Sequence, residues 1–225
     1  GCSELTAISI DESNTFYTSI DDVLYNADVT EILVFPANRT AAYTLPETIT
    51  AIVDDQFADS KVTEVILHDA VTSIGEYAFD GSAITQMTIP SGVTSIGQYA
   101  FANTEDLVSV TFLGNGVTAL AARTFDYSGI QSITLPNRLT SIGNYAFYRS
   151  GLVSINIPAS VRTIGTYAFA SLSAVGSSLT SVTFDENSVL ESIGNNAFQY
   201  AGDEDADVVS ITIPATVTTL GTNLF

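Results

Sequence analysis

Tryptophan is absent from the 225 residues, and cysteine, methionine, histidine and lysine each occur once. The lone cysteine, Cys2, excludes an internal disulfide framework and leaves the redox compartment open. The lone histidine, His68, means that a catalytic triad or a histidine-bearing metal site would have to use it. No G-x-S-x-G elbow is present either. Positive charge is equally scarce: Lys61 and five scattered arginines stand against 25 Asp and Glu, for a net charge of −19. No basic patch can form from that set, which excludes a nucleic-acid footprint and attraction to anionic lipid. A charge of this size keeps a protein soluble and disfavours polyanionic partners. Long apolar runs are missing too, so direct membrane insertion is excluded, and no basic segment leads into an apolar one as in a signal peptide.

What is present is apolar and repetitive. Hydrophobic residues make up 46% of the chain, enough for a sizeable core. One phrase recurs: ITQMTIPSGVTSIGQYAF at Ile84 to Phe101, IQSITLPNRLTSIGNYAF at Ile130 to Phe147, and LVSINIPASVRTIGTYAF at Leu152 to Phe169. Looser copies end at Phe79, Phe125, Phe198 and Phe225, and a partial one ends at Phe57. By subtraction, these phenylalanines are spaced 22, 22, 24, 22, 22, 29 and 27 residues apart. The two long gaps hold SLSAVGSS and YAGDEDAD. Insertions confined to one point of the cycle read as loops on one side of a solenoid.

Each position of the unit has a physical reading. Ile133 and Leu135 alternate with Ser132 and Thr134, the period of a short half-buried strand. Pro136 ends it, as Pro90, Pro158 and Pro214 do elsewhere, because proline cannot donate to a ladder. A second extended stretch follows, with Leu139 and Ile142 inward. Gly143, matched by Gly75, Gly97, Gly165, Gly194 and Gly221, predicts a turn in a conformation that a side chain would resist. Asn144 to Phe147 predict a helical turn or short helix. No unit can bury its apolar face alone, so neighbours must stack. Eight rungs at roughly 4.8 Å each give a sheet about 35–40 Å long.

These residues resemble the BspA-like leucine-rich repeats, whose unit reads L-x-x-I-x-I-P-x-x-V-T-x-I-G-x-x-A-F. The resemblance covers nearly the whole chain. The segment SNTFYTSIDDVLYNADVTEILVFP (residues 13–36) also resembles the family's hairpin, with Asp22 at the glycine position, so the tight turn is expected to differ in type. Its residues read as three short strands, TFYTS, VLYN and EILVF.

The expected architecture is therefore an α/β repeat solenoid of leucine-rich-repeat type, rich in β: a right-handed superhelix with a parallel sheet of short strands, second short extended strands, and short helical or 3-10 turns. Residues 1–225 form a single solenoid, with a hairpin-containing unit at 11–46 and repeats over 47–225. Gly1 and Cys2 read as the tail of a preceding repeat, in phase with SELTAISI, against a rival reading as a lipid-modified cysteine. The last copy stops at Phe225 without a polar cap, which is expected of a segment of a longer chain.

The resemblance implies a secreted or cell-surface protein that adheres to host matrix proteins, other cells or glycans without catalysis or cofactor. A structural spacer for some other domain is the alternative, and a glycan- or peptide-processing enzyme is a remote one. A monomer or weak oligomer is expected.

Two surfaces are candidates for binding. The outward strand positions Thr88, Thr111, Thr134, Asn156, Thr183 and Thr212, with Ser132 and Ser154, form a polar, uncharged ladder, which equally suits a solvated strand face. Tyr77, Tyr99, Tyr145 and Tyr167 recur in phase, interrupted by Arg123, and read either as a gripping ladder or as half-buried rings stacked rung on rung. Tyr127, Tyr148 and Tyr200 follow the core phenylalanine and are expected to be exposed.

Three further groups have bland readings beside the chemical ones. Asp203, Asp205 and Asp207 alternate like the opening of a calcium loop, but Val208 and Pro214 stand where an EF-hand needs glycine and glutamate, so the alternative is a solvated acidic loop. Asp21–Asp22 and Asp54–Asp55 are carboxylate pairs of the kind acid–base enzymes use, and both fall in turns. His68 replaces the strand-ending proline and reads as an exposed turn residue.

Overall fold

A computed structural model describes residues 4–171, 179–202 and 211–225. The chain winds as a parallel β-solenoid in which, among the described residues, seven turns contribute two short strands to two separate sides and the last contributes one. On one side lie Tyr43–Thr44, Val65–Ile66, Gln86–Ile89, Ser109–Phe112, Ser132–Ile133, Ser154–Ile157 and Ser181–Phe184. On the other lie Ala51–Ile52, Ser73–Ile74, Ser95–Ile96, Ala119–Leu120, Ser141–Ile142, Thr163–Ile164, Ser192–Ile193 and Thr219–Leu220. Equivalent residues sit in register, as in Ser109 beside Gln86 and Ser132, or Ile142 beside Leu120 and Ile164. Val110, Ile155 and Val182 point inward, and the Ser and Thr between them point out. Between the two strands, Pro90, Pro136 and Pro158 each open a β-turn by accepting from the N–H three residues on, at 3.0 to 3.2 Å.

The third side corrects an expectation. The segment from Asn144 to Phe147 and its equivalents form no helix but a run of overlapping turns, the arc. Its N–H groups alternate in use. In one copy, those of Tyr77, Phe79 and Gly81 donate along the solenoid axis to Gln98, Ala100 and Ala102 carbonyls, at 3.0, 2.8 and 2.9 Å. Those of Asp80 and Ser82 donate back within the turn to Tyr77 and Phe79. A helix would spend all of these donors on its own carbonyls. The alternation has a conformational cost, because residues two before and two after the core phenylalanine are left-handed. Tyr99 and Asn103 have φ of 56° and 54°, and Tyr145 and Arg149 have 58° and 54°. A left-handed non-glycine residue costs roughly 1–2 kcal/mol, offset by a ladder bond worth about 0.5–1.5 kcal/mol net and by packing.

The core is a column of phenylalanines from Phe57 to Phe225, seven successive contacts with centroids 5.1 to 6.0 Å apart and planes within 17°. A buried alanine precedes the ring at Ala78, Ala100, Ala146, Ala168 and Ala197 and leaves room for it. The recurring glycine has a different role from the one expected. Gly143 does not have positive φ; instead, a Cβ there would lie 2.6 Å from the carbonyl carbon of Ala121 in the preceding rung. Close approach of backbones requires glycine, and the left-handed turn falls on Tyr145 instead.

At the start, β1 (Tyr17–Ile20), β2 (Val23–Asn26) and β3 (Ile32–Val34) form an antiparallel sheet. Asp21 and Asp22 both have positive φ, 48° and 66°, as a type I′ turn requires, so Asp22 serves without glycine. Tyr25 from β2 is buried with its hydroxyl 2.5 Å from that of buried Tyr43. Phe35 then packs edge-on against Tyr43 and Phe57, at 5.1 and 4.8 Å, and closes this end of the phenylalanine column. Gly1, Cys2, Asp203, Asp205 and Asp207 lie outside the described residues.

Candidate binding surfaces

The sheet side that carries the Ser/Thr ladder is in register and exposed. Thr88 pairs with Thr111, Ser109 with Ser132, Ser154 with Ser181 and Asn156 with Thr183. Thr134 and Thr212 are exposed at the same phase of their rungs. Part of the hydrogen-bonding capacity is consumed internally. Thr183 donates to Asn156 Oδ1 at 2.8 Å, and Asn156 donates to Asp185 at 2.7 Å. A depression of about 240 Å³ lies over Ser109, Thr111, Phe112, Ser132 and Thr134. Its residues are neutral, and all but Phe112 are aliphatic or short hydroxyl side chains.

The arc is chemically different. Tyr77 stacks on Tyr99 with centroids 4.6 Å apart, and Tyr145 on Tyr167 at 4.9 Å. Arg123 does not interrupt this ladder but completes it. Its guanidinium carbon lies 4.0 Å from the centroid of Tyr145 and 5.6 Å from that of Tyr99, so a flat cation takes the rung of a ring. Arg123 is held by Asp126 at 2.5 Å. Asp126 is only 4% exposed and its Oδ1 accepts no hydrogen bond among the described residues. Burial pushes the Asp126 carboxyl above its usual range, and Arg123 opposes that rise by hydrogen bond and by charge.

Around this ladder the aromatic side chains converge. Tyr148 meets Tyr145, Tyr127 and Tyr167 edge-on at 5.3, 5.9 and 6.2 Å. Arg149 lies 4.2 Å over Tyr127 and donates to its hydroxyl at 2.5 Å. Tyr127 and Tyr148 thus belong to one cluster with both arginines, and ring packing leaves both half-buried rather than exposed as the sequence predicts. Tyr200, 45% exposed, makes no ring contact with them. The roles of Arg123 and Arg149 were hidden because arginine breaks the tyrosine pattern. Their phase, two residues before and after a core phenylalanine, was the available signal.

The remaining polar candidates serve the backbone. Asp54 Oδ1 accepts the Glu76 N–H at 2.8 Å, one rung along, as Asn144 does for Thr166. Asp55 occupies a left-handed arc position, φ 57°. Asp21 and Asp22 make the hairpin turn, where the Asp21 carbonyl accepts from Arg39 at 2.5 Å. His68 is part-buried rather than exposed. Its carbonyl opens the same β-turn that proline opens elsewhere, and its Nε2 lies 3.0 Å from the Pro46 carbonyl. Among the described residues, no group of three His, Cys, Asp or Glu side chains is placed to hold a metal, and no helix is long and apolar enough to cross a membrane.

Residues 34–127 and 106–225 match the model of the BspA type leucine-rich repeat region, in six copies. The chain belongs to this family. A solved leucine-rich repeat protein of Eubacterium ventriosum shares the fold of this BspA-type chain, at 22% identity and a TM-score of 0.62. That likeness covers 99% of this chain and 52% of the other, so the chain spans about half the length of its relative. A leucine-rich cell surface protein of Faecalibacterium prausnitzii is similar at 21% identity and a TM-score of 0.39, over 82% of this chain and 60% of the other. The pneumococcal vaccine antigen PcpA is similar at 15% and 0.43, over 97% and 69%. No curated protein matches the sequence.

Proposed function

We propose that this BspA-type solenoid is a non-enzymatic, extracellular binding module and that its arc is the face that engages the partner. The observation that carries the reading is the continuous cluster of Tyr99, Arg123, Tyr145, Tyr167, Tyr148, Tyr127 and Arg149. Tyrosine and arginine are the residue types in which interface energy concentrates, because large, stiff side chains bury area at low entropic cost. The sheet face offers neither. A net charge of −19 favours neutral or basic partners over polyanions.

The test is a binding screen of the purified chain against fibronectin, fibrinogen, mucin and cultured epithelial cells. Wild type is compared with a Tyr148→Ser, Arg149→Gly double variant and with a Thr111→Ser, Thr134→Ser variant. Binding lost only in the arc variant is the expected result. Loss confined to the sheet variant would move the site to the ladder, and silence throughout would leave the chain a spacer.

A further inference from the structure

The arc carries a trough, and its floor is set by sequence. Four residues after the core phenylalanine, successive rungs bear Lys61, Ala83, Glu105, Gly129 and Gly151. A Cβ on Gly129 would lie 1.9 Å from the Glu105 carbonyl oxygen, and one on Gly151 would lie 3.0 Å from the Gly129 carbonyl oxygen. The backbone therefore demands glycine at the first position and favours it at the second. The missing side chains leave a trough of about 300 Å³ bordered by Tyr127 and Arg149 on one wall, Glu105 at one end and Ser150 beside it. That size is at the small end of ligand clefts.

We propose that this trough is a subsite for a neutral glycan, an assignment that rests on the arc being the binding face. Arg149 spends one of its five N–H donors on Tyr127. It makes no ion pair among the described residues, although the chain is strongly acidic. Glu105 is exposed, offers only acceptors when ionised, and lines the same trough without bridging to Arg149.

A donor fork and an acceptor pair facing one small space suit neighbouring hydroxyls, each of which both donates and accepts. A carboxylate or sulfate would meet Arg149 but also Glu105 and the acidic field of the whole chain. An amine would meet Glu105 but also Arg149. A polyol satisfies both without adding charge. Tyr127, with Arg149 4.2 Å over its ring and Tyr148 edge-on at 5.9 Å, holds the guanidinium in place at the trough.

The experiment is an array of oligosaccharides ending in neutral glucose, galactose, mannose or N-acetylhexosamine, with sialylated and sulfated glycans alongside. Saturation-transfer NMR with the methyl glycosides accompanies it. Arg149→Gly removes the fork while relaxing a residue at φ 54°, and Glu105→Ala removes the acceptor, so both variants should melt as wild type does. Neutral glycans are expected to bind, unaffected by 0.5 M salt (about a 5 Å screening length,), with a loss of about tenfold or more in each variant.

Binding confined to sialylated or sulfated glycans would overturn the assignment, as would neutral binding that both variants retain. Glycan silence, with protein or cell binding lost in Tyr148→Ser, would remove the sugar subsite and leave the arc reading intact. Silence in every arm would remove both.

Discussion

The sheet side and the arc are built from the same repeat, yet they distribute chemistry differently. On the sheet, alternation sends Val and Ile inward and mostly short hydroxyl side chains outward, so the surface is regular and largely uncharged, with Glu64 and Asp185 bonded to Gln86 and Asn156. On the arc, overlapping turns hold every second N–H along the axis and force left-handed residues two before and two after the ring. Those positions project at the turns and accept large side chains: Tyr99, Arg123, Tyr145 and Tyr167 in one column, Tyr127, Arg149 and Tyr200 in the other. A backbone built from turns carries more side-chain variety outside than a flat ladder does. The arc also holds the phenylalanine column inside. The element that holds the core thus also carries the proposed binding face, while the sheet mainly sets the rise.

The largest expected effect tests this division from within. Phe125→Ala should cost about 3–5 kcal/mol, because the ring is fully buried between Phe101 and Phe147. Val110→Ala on the sheet side of the same core should cost less, about 1–3 kcal/mol, by the area it buries. Urea unfolding of both variants checks the order. Equal costs would show that the arc is no more important to the core than the sheet.

Next in size is the arginine that fills a tyrosine rung. Arg123→Ala leaves the Asp126 carboxylate buried without its partner, an expected loss of about 1–3 kcal/mol at neutral pH. The sign with pH follows from the direction of the shift. The folded carboxyl already titrates above its unfolded value because burial disfavours its charge. Stability is therefore greatest below the ordinary carboxylate range and falls as pH rises through the folded value. Removing Arg123 raises that value further and enlarges the fall. Melting temperatures of wild type and variant should converge as pH is lowered toward 4, near the unfolded value. A difference independent of pH would mean that lost stacking on Tyr145, not the carboxylate, is what Arg123 supplies.

The Arg123 case also shows what was legible in the sequence. Period-two alternation in IQSITL and the spacing of the phenylalanines locate both sheets and the core, because those patterns reflect burial directly. The three hairpin strands were readable for the same reason, and the turn between the first two tolerated Asp21–Asp22. The arc was not legible as turns. Asn144 to Phe147 has ordinary helix-compatible residues, and only rung-to-rung hydrogen bonds draw its N–H groups out of a helix. Gly143 pointed to a special backbone position, but the constraint lay in the neighbouring rung rather than in its own φ. Arg123 broke a pattern of residue type while preserving a pattern of shape, and only three-dimensional stacking makes that visible.

Recognition provides a sharper contrast at lower energy. Tyr148→Ser removes the ring that joins Tyr127, Tyr145 and Tyr167 into one cluster. A loss of about tenfold in partner affinity is expected, equivalent to about 1.4 kcal/mol, with the effect concentrated in the dissociation rate. Surface plasmon resonance on whichever partner the screen returns reads this directly. An unchanged dissociation rate would assign the contact elsewhere on the solenoid.

The smallest expected effect lies on the opposite surface and is the most economical check on the comparison. Thr111→Ser keeps the hydroxyl and removes one outward methyl from the middle of the ladder, between Thr88 and Thr134. Serine is a poorer strand former than threonine, but the position is exposed and its packing is only to like neighbours. Stability should move by no more than about 0.5 kcal/mol, as for ordinary surface substitutions, and partner affinity should not move at all. In the double variant Thr111→Ser, Thr134→Ser the two sites lie on adjacent rungs, so any departure from additivity reads their mutual contact directly. A larger loss in either quantity would mean that the ladder acts as a unit, through an ordered surface that single residues do not reveal. The sheet would then be a second recognition face rather than the scaffold of the first.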